Sequence, residues 1–159
     1  MEEELLEYLG YGDRSSYGKD DYDNIANKYN VLTLEHEHEK KLYTENGSVY
    51  FIKNFPEHTS PFWNMKRDPD SVYAKKIDVI LSGHETIGSA ERETDPNIMR
   101  ERFNRISEGQ YAKAIFSKFG KERSLKELDE FMNLNFFPRS GGGIGITRLI
   151  RSMKMENIM

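Results

Sequence analysis

Residues 138–149 read PRSGGGIGITRL and hold four of the chain's 12 glycines. Phe136 and Phe137 precede this stretch, and apolar residues at helical spacing follow it, which predicts a short apolar strand, a glycine-rich turn and a helix with Arg148 one turn in. Glycines let a ligand approach the backbone, a helix N-terminus offers unpaired N–H groups, and a guanidinium fits phosphate. The stretch therefore predicts a nucleotide-phosphate site, with tight strand–helix packing as the alternative role of the glycines.

The composition narrows the class of protein. The 159 residues fit a single domain, 1–159, and the net charge of −4 argues against a domain that holds nucleic acid mainly by bulk positive charge. Without cysteine there are no disulfides and no thiolate metal sites. No apolar run approaches the roughly 18 residues of a membrane span, and the acidic start lacks the pattern of a signal peptide. We therefore expect a cytoplasmic protein with no membrane contact.

The order of predicted elements favours an α+β fold. Strands are expected at 49–55 and in a hairpin that turns at Ser82-Gly83, and grouped strands favour an antiparallel β-sheet flanked by helices. Residues 11–20 are expected to form turns, and His36 and His38 to lie on the surface. Helices are predicted at 2–9, after Asp20 or Asp21, from a Thr33 cap to Gly47, from Asp95-Pro96, before Gly120, and from a Ser124…Glu127 capping box.

Two acids of the predicted hairpin are the first candidate site residues. If Leu81 pairs with His84, Asp78 and Glu85 become diagonal neighbours on one face, roughly 7–8 Å apart. Carboxylates that close repel each other unless a cation lies between them. Magnesium that bridges to a phosphate fits, because it commonly takes one or two carboxylates together with phosphate oxygens. A solvated pair of acids on the sheet face is the alternative.

The next residues suggest a small-molecule site. Gly88, Ser89 and Ala90 leave room beside the strand, and Arg92 could clamp the carboxylate of a ligand with two hydrogen bonds. The alternative is a surface arginine paired with a neighbouring acid, Glu91 or Glu93. The only tryptophan, Trp63, lies in a loop before the hairpin and is expected to seal the edge of the core rather than to contact a ligand.

These residues together resemble a known family. The spacing of Asp78, Glu85, Gly88 and Arg92, followed about fifty residues later by 141–149, resembles the class II aminoacyl-tRNA synthetases. Within them it is most similar to the aspartyl/asparaginyl subgroup and to the related asparagine synthetase A. The strand and loop 51–67 also resemble that subgroup, so that the resemblance covers about residues 30 to 155.

The resemblance implies both a fold and a reaction. The fold would be the antiparallel sheet of class II synthetases. The reaction would be attack of an amino-acid carboxylate, from aspartate or asparagine, on the α-phosphate of ATP. The resulting aminoacyl-adenylate would then react with a tRNA hydroxyl or with ammonia. Such chemistry depends on positioning and charge neutralisation.

The resemblance also implies roles for single residues. Asp78 and Glu85 would hold Mg2+ on ATP, and Ser89 and Arg92 would bind the amino acid. Arg148 would contact the ATP tail as a catalytic residue. The remaining ATP-binding residues would be Gly143 and Gly145, which shape the floor under the adenosine.

Departures from the family pattern leave two hypotheses open. Arg139-Ser140 replaces the usual His-Gly and Thr147 replaces an acid, which is closer to asparagine synthetase A and favours a ligase not tied to tRNA. The first two class II motifs are not found. We therefore expect the second half of a catalytic domain, inactive alone, in a homodimer or with a chain that supplies the missing half. The alternative is a non-catalytic paralogue that binds nucleotide or amino acid as a regulatory or partner subunit.

Overall fold

The computed structural model describes residues 1–68 and 70–159, and it arranges them in helices and a five-stranded sheet. The strands are β1 (Gly18–Asp21), β2 (Val49–Pro56), β3 (Tyr73–Leu81), β4 (His84–Glu91) and β5 (Ser140–Ile144). The helices are α1 (Glu2–Tyr8), α2 (Tyr22–Lys28), α3 (His36–Asn46), α4 (Pro96–Arg105), α5 (Gln110–Phe119), α6 (Lys121–Met132) and α7 (Ile146–Met155). No helix in the described part of the chain is long and apolar enough to cross a membrane.

The sheet has the strand order β1-β2-β3-β4-β5 and is mixed, because β1 runs parallel to β2. The α+β class is confirmed, whereas the purely antiparallel sheet is not, since the parallel strand lies in the stretch expected to form turns. The polar sequence of β1 gives no alternating signal. Gly18 pairs with Tyr50, and a Cβ on Gly18 would lie 2.2 Å from the Tyr50 ring, so this pairing requires glycine.

Local sequence signals located most other elements. The strand at β2, the β3–β4 hairpin, helix α1 and the end of α5 at Gly120 are confirmed. Asp95 caps α4 by accepting the N–H groups of Asn97 and Ile98, as the Asp-Pro pair predicts.

Three predictions about helix starts and histidines are wrong. Helix α3 begins after Glu35, not Thr33, because Glu35 and His38 form a reciprocal capping box. His38 is consequently buried instead of lying on the surface. Ser124 does not cap α6; it lies within the helix and its hydroxyl donates to the Gly120 carbonyl at 2.7 Å.

The glycine run is the main correction to the predicted fold. Residues Ser140–Ile144 form strand β5 instead of a turn, and no residue of the run has a positive φ. A Cβ on Gly142 would lie 2.6 Å from the Gly88 carbonyl oxygen and 2.8 Å from the Ser89 Cβ. Glycine is needed at this position for close contact with β4, not for a turn.

The chain divides into two compact units. The first unit comprises Met1–Phe55, Lys76–Ser89 and Gly142–Met159, and the second comprises Pro56–Lys75 and Ala90–Gly141. Two apolar clusters form the core of the first unit, around Leu6 and Val79 and around Ile25 and Ile80. The core of the second unit is aromatic and includes Trp63, so the expectation that Trp63 serves the core is confirmed.

Candidate functional site

Asp78 of β3 and Glu85 of β4 converge on Gly88 in the first unit. A Cβ at Gly88 would lie 3.3 Å from Asp78 Oδ1 and 3.4 Å from Glu85 Oε1. The hairpin thus brings the two carboxylates to one face, where both approach Gly88 closely. Any larger residue at position 88 would press on both carboxylates.

The Asp78 carboxyl has an unusual environment for a buried acid. Its residue is 5% exposed, Oδ2 accepts a hydrogen bond from Lys76 Nζ, and Oδ1 has no partner among the described residues. Burial raises the pKa of Asp78 to about 6; Lys76 opposes this rise, and the charges of Glu85 and Glu39 add to it. A buried carboxylate oxygen without a partner is destabilising, so a packing role does not explain the position of Asp78.

Two further residues, Lys76 and Glu39, contact Asp78 and Glu85, and the sequence analysis identified neither as a site residue. Lys76 Nζ lies 3.7 Å from the centre of the Phe55 ring, which fixes the cation beside Asp78. Glu39 of α3 accepts the Glu85 backbone N–H at 3.0 Å through Oε2, which also lies 3.2 Å from His36 Nδ1. Lys76 lies two residues before Asp78 in β3 and could have been found by its charge, whereas no local signal links Glu39 to Glu85.

Arg148 lies next to the same strand. Its Nη1 donates to the Glu85 backbone carbonyl at 2.6 Å while its side chain remains exposed. The start of α7 is held there because the Gly145 N–H donates to the Thr86 carbonyl at 2.8 Å. The guanidinium and the two carboxylates are therefore all placed by β4 and its neighbours in the first unit.

The predicted glycines differ in what surrounds them. A Cβ at Gly143 would meet no atom within 4 Å, and a Cβ at Gly145 would make ordinary contacts at 3.5 Å with Arg148 and Thr86. Contacts with the described residues require neither glycine, in contrast to Gly142. Space left open at Gly143 is compatible with a ligand lying against the strand.

Ser89, the sixth predicted site residue in the first unit, is already hydrogen-bonded. Its Oγ donates to Glu2 Oε1 of α1 at 2.8 Å. The hydroxyl can still accept a hydrogen bond from a ligand, although its proton is used by α1.

The seventh predicted site residue, Arg92, belongs to the second unit. Its Nη2 donates to the Gly141 carbonyl at 3.0 Å and its Nη1 to Asn64 Oδ1 at 3.2 Å. The neighbouring acids have other partners: Glu91 lies 3.7 Å from Lys66 and 3.8 Å from Lys75, and Glu93 pairs with Arg102 at 3.0 Å. Arg92 is half-buried, and it forms no ion pair with an acid among the described residues.

A cavity of about 350 Å³ lies beside Arg92 in the second unit, lined by residues that include Lys66, Glu91, Arg92 and Arg139. Arg139 is held by stacking on the Phe136 ring at 4.8 Å and by donating to the Phe137 carbonyl at 3.3 Å. Among the described lining residues the acid is Glu91, which is balanced by lysines, and two guanidiniums remain. The cavity therefore favours an anionic ligand.

The donor set of the first unit fits a hard cation such as magnesium. No group of three or more His, Cys, Asp or Glu side chains that could hold a metal occurs within residues 1–68 and 70–159. Magnesium does not require such a group when phosphate and water supply its other ligands. Asp78 Oδ1, which has no partner among the described residues, and the convergence of both acids on Gly88 are the observations that fit an ion at the carboxylate pair.

Comparison with known proteins gives consistent results in sequence and in structure. The family model described as "tRNA synthetases class II (D, K and N)" matches residues 14–158. The "Aspartate--tRNA(Asp/Asn) ligase" of Aeropyrum pernix is 24% identical over 161 residues, which cover 98% of this chain and 30% of the relative. The "Aspartate--tRNA ligase 1, cytoplasmic" of Arabidopsis thaliana is 32% identical over 53 residues, or 33% of this chain and 10% of that protein.

Solved structures share the fold. An asparaginyl-tRNA synthetase from Pyrococcus horikoshii, complexed with asparaginyl-adenylate, superposes with a TM-score of 0.64 at 21% identity, covering 89% of this chain and 32% of that one. An aspartyl-tRNA synthetase from Entamoeba histolytica gives a TM-score of 0.63 at 21% identity, covering 86% of this chain and 28% of that one. The chain thus spans about a third or less of the length of these relatives.

Proposed function

This chain belongs to the class II tRNA synthetase family of the D, K and N type, and we propose that it supplies part of an ATP-dependent site that activates aspartate or asparagine. The observation that carries the proposal is the convergence of Asp78 and Glu85 over Gly88, with Arg148 held on the backbone of Glu85. Two carboxylates beside a guanidinium and an open glycine suit a metal-bound nucleotide triphosphate.

Each residue of the first unit has a defined task in this proposal. Asp78 and Glu85 would hold Mg2+, which when bound neutralises phosphate charge and fixes the phosphate geometry. Arg148 binds the triphosphate tail through the guanidinium atoms that the Glu85 carbonyl leaves free. Gly143 and Gly145 provide a flat surface for the adenosine, and Lys76 holds the Asp78 carboxylate in place.

The second unit would bind the amino acid. Arg92 is oriented by Asn64 and Gly141, and a guanidinium fixed by two acceptors is suited to hold a carboxylate. The excess of cations at its cavity supports aspartate over asparagine, because the side-chain carboxylate carries a charge that the amide lacks. Arg139 and Thr147, which depart from the synthetase pattern, support ammonia over tRNA as the acyl acceptor.

Titration calorimetry with MgATP tests the nucleotide half of the proposal. Wild-type protein should bind MgATP, and Glu85→Gln should weaken that binding at least about tenfold, because one unit of negative charge is lost at the metal. Glu37→Gln is the matched control in the same unit, with a side chain 73% exposed. Equal binding by Glu85→Gln and wild-type protein would exclude the assigned role of Glu85.

The same method tests the amino-acid half. Arg92→Ala should abolish aspartate binding and spare MgATP, whereas Arg100→Ala, which removes a surface arginine paired with Asp129, should affect neither. The role of Arg92 would be wrong if its variant bound aspartate normally.

Turnover separates the catalytic proposal from the alternative. Pyrophosphate exchange that depends on aspartate would support activation by this chain or by a complex with a partner or a second copy. Binding without exchange would favour a non-catalytic paralogue that binds nucleotide or amino acid as a regulatory or partner subunit.

A further inference from the structure

Two arginines of the second unit, Arg92 and Arg139, lie opposite each other where two neighbouring strands meet. Arg92 directly follows the C-terminal end of β4, and Arg139 directly precedes the N-terminal end of β5. Because these two ends meet, the strands run antiparallel here, and the Arg92 N–H donates to the Arg139 carbonyl at 2.8 Å. Residues that face each other across an antiparallel pair project their side chains from the same face of the sheet.

Neutral groups hold both guanidiniums. Arg92 donates to Asn64 Oδ1 and to a backbone carbonyl, and Arg139 stacks on the Phe136 ring and also donates to a backbone carbonyl. Neither arginine forms an ion pair with an acid among the described residues. Like charges directly opposite each other on a sheet are destabilising, so packing does not explain why two arginines occupy these positions.

Both guanidiniums keep donors that a ligand can use. The Nε of Arg92 and the Nε and Nη2 of Arg139 have no partner among the described residues, and none of these atoms is buried. Both residues line the same cavity of about 350 Å³. A ligand that enters this cavity from solvent can therefore accept hydrogen bonds from both side chains.

The charge of the cavity indicates how many anionic groups it can balance. Its described lining carries three cations, Lys66, Arg92 and Arg139, and one acid, Glu91, which gives a net charge of +2. A ligand with two carboxylates balances this charge, whereas a ligand with one carboxylate leaves one guanidinium without a counter-charge. Each guanidinium offers the planar fork that suits a carboxylate.

We propose that this cavity binds a small dicarboxylate, with one carboxylate on Arg92 and the second on Arg139. The inference deepens the proposed function, on which it rests for the role of Arg92, and it adds Arg139 as a residue that determines which ligand is bound. A ligand with one carboxylate, such as asparagine, makes only one of the two contacts. Arg139 thereby selects for aspartate.

Titration calorimetry without ATP tests this inference with succinate and butyrate, which share a four-carbon chain and differ by one carboxylate. Wild-type protein should bind succinate at least about tenfold more tightly than butyrate. Arg139→Gln should bind succinate only as weakly as butyrate, and it should fold, because it removes one of two like charges. Arg123→Gln is the matched control: it removes the same charge from an exposed pair with Glu127 and should preserve the preference for succinate.

Two outcomes would overturn the second contact alone. These are equal affinities of the wild-type protein for the two probes, and unchanged succinate binding by Arg139→Gln; in either case Arg92 could still hold a single carboxylate. Arg92→Ala identifies a failure of the proposed function instead, because it should weaken the binding of both probes. If Arg92→Ala bound both as the wild-type protein does, the proposed amino-acid site would be wrong and this inference with it.

Discussion

The two units differ in how completely their buried charged side chains are paired. In the second unit, Arg67 is 7% exposed and is bound by Glu57, the Met65 carbonyl and the Pro61 carbonyl, and Glu93 is 6% exposed and bound by Arg102. In the first unit, Asp78 is equally buried, yet one of its oxygens has no partner among the residues that the structure describes. Fully paired charges serve packing, whereas we propose that the unpaired oxygen of Asp78 serves a ligand.

Removing a paired charge should have the largest effect. Glu93→Gln should lower the free energy of unfolding by about 3 kcal/mol, because Arg102 would be left without a charge partner in a mostly buried position. Glu101→Gln breaks an exposed pair with Arg105 and should cost less than about 0.5 kcal/mol. Urea denaturation of both variants measures the difference. Similar losses for the two would show that burial does not separate the pairs.

The adjacent glycines Gly142 and Gly143 offer the same comparison between a position needed for packing and one left open. Gly142→Ala should destabilise the protein by about 2 kcal/mol, because its Cβ would lie 2.6 Å from the Gly88 carbonyl oxygen. Gly143→Ala should change stability by less than about 0.5 kcal/mol, because its methyl group points into open space. The same methyl group should weaken MgATP binding about tenfold, because it occupies space proposed for the nucleotide. Thermal melts and calorimetry check both. Equal destabilisation by the two variants would show that position 143 is also required for packing.

The effect on stability that depends most on pH is expected at Asp78. Its native pKa of about 6 lies above the ordinary value of 3.8, so the folded state binds more protons between these values and stability falls as pH rises through that window. At pH values above this window, Asp78→Asn should raise the free energy of unfolding by roughly 1–2 kcal/mol. This gain is smaller than the full pKa shift of Asp78 would allow, because the variant also loses the ion pair with Lys76.

Denaturation at about pH 8 and about pH 4 measures the pH dependence of this gain, which should shrink at the lower value as the wild-type carboxyl becomes protonated. A gain that is independent of pH would contradict the assignment, since it would not come from ionisation. MgATP binding should be lost in the same variant.

Local signals explain why much of the fold could be predicted. The Asp95-Pro96 cap, the Ser82-Gly83 turn and the alternation in the hairpin depend on neighbouring residues, and the hairpin register was enough to place Asp78 and Glu85 on one face. The resemblance to class II synthetases then gave the family, which the comparisons confirm.

Features that depend on distant contacts could not be predicted. Strand β1 is polar and owes its existence to β2, more than two dozen residues further along the chain. The glycine run is extended because Gly142 packs against Gly88, which glycine content alone does not distinguish from a turn. The contact of Glu39 with Glu85 is likewise visible only once α3 is in place.

Paramagnetic broadening by Mn2+ tests the central claim most directly. With ATP present, Mn2+ in place of Mg2+ should broaden the backbone amide signal of Gly88, which lies between the two carboxylates, and Asp78→Asn/Glu85→Gln should restore that signal. An intact Gly88 signal at saturating MnATP, or equal broadening in the double variant, would contradict a metal-nucleotide site at this pair of acids.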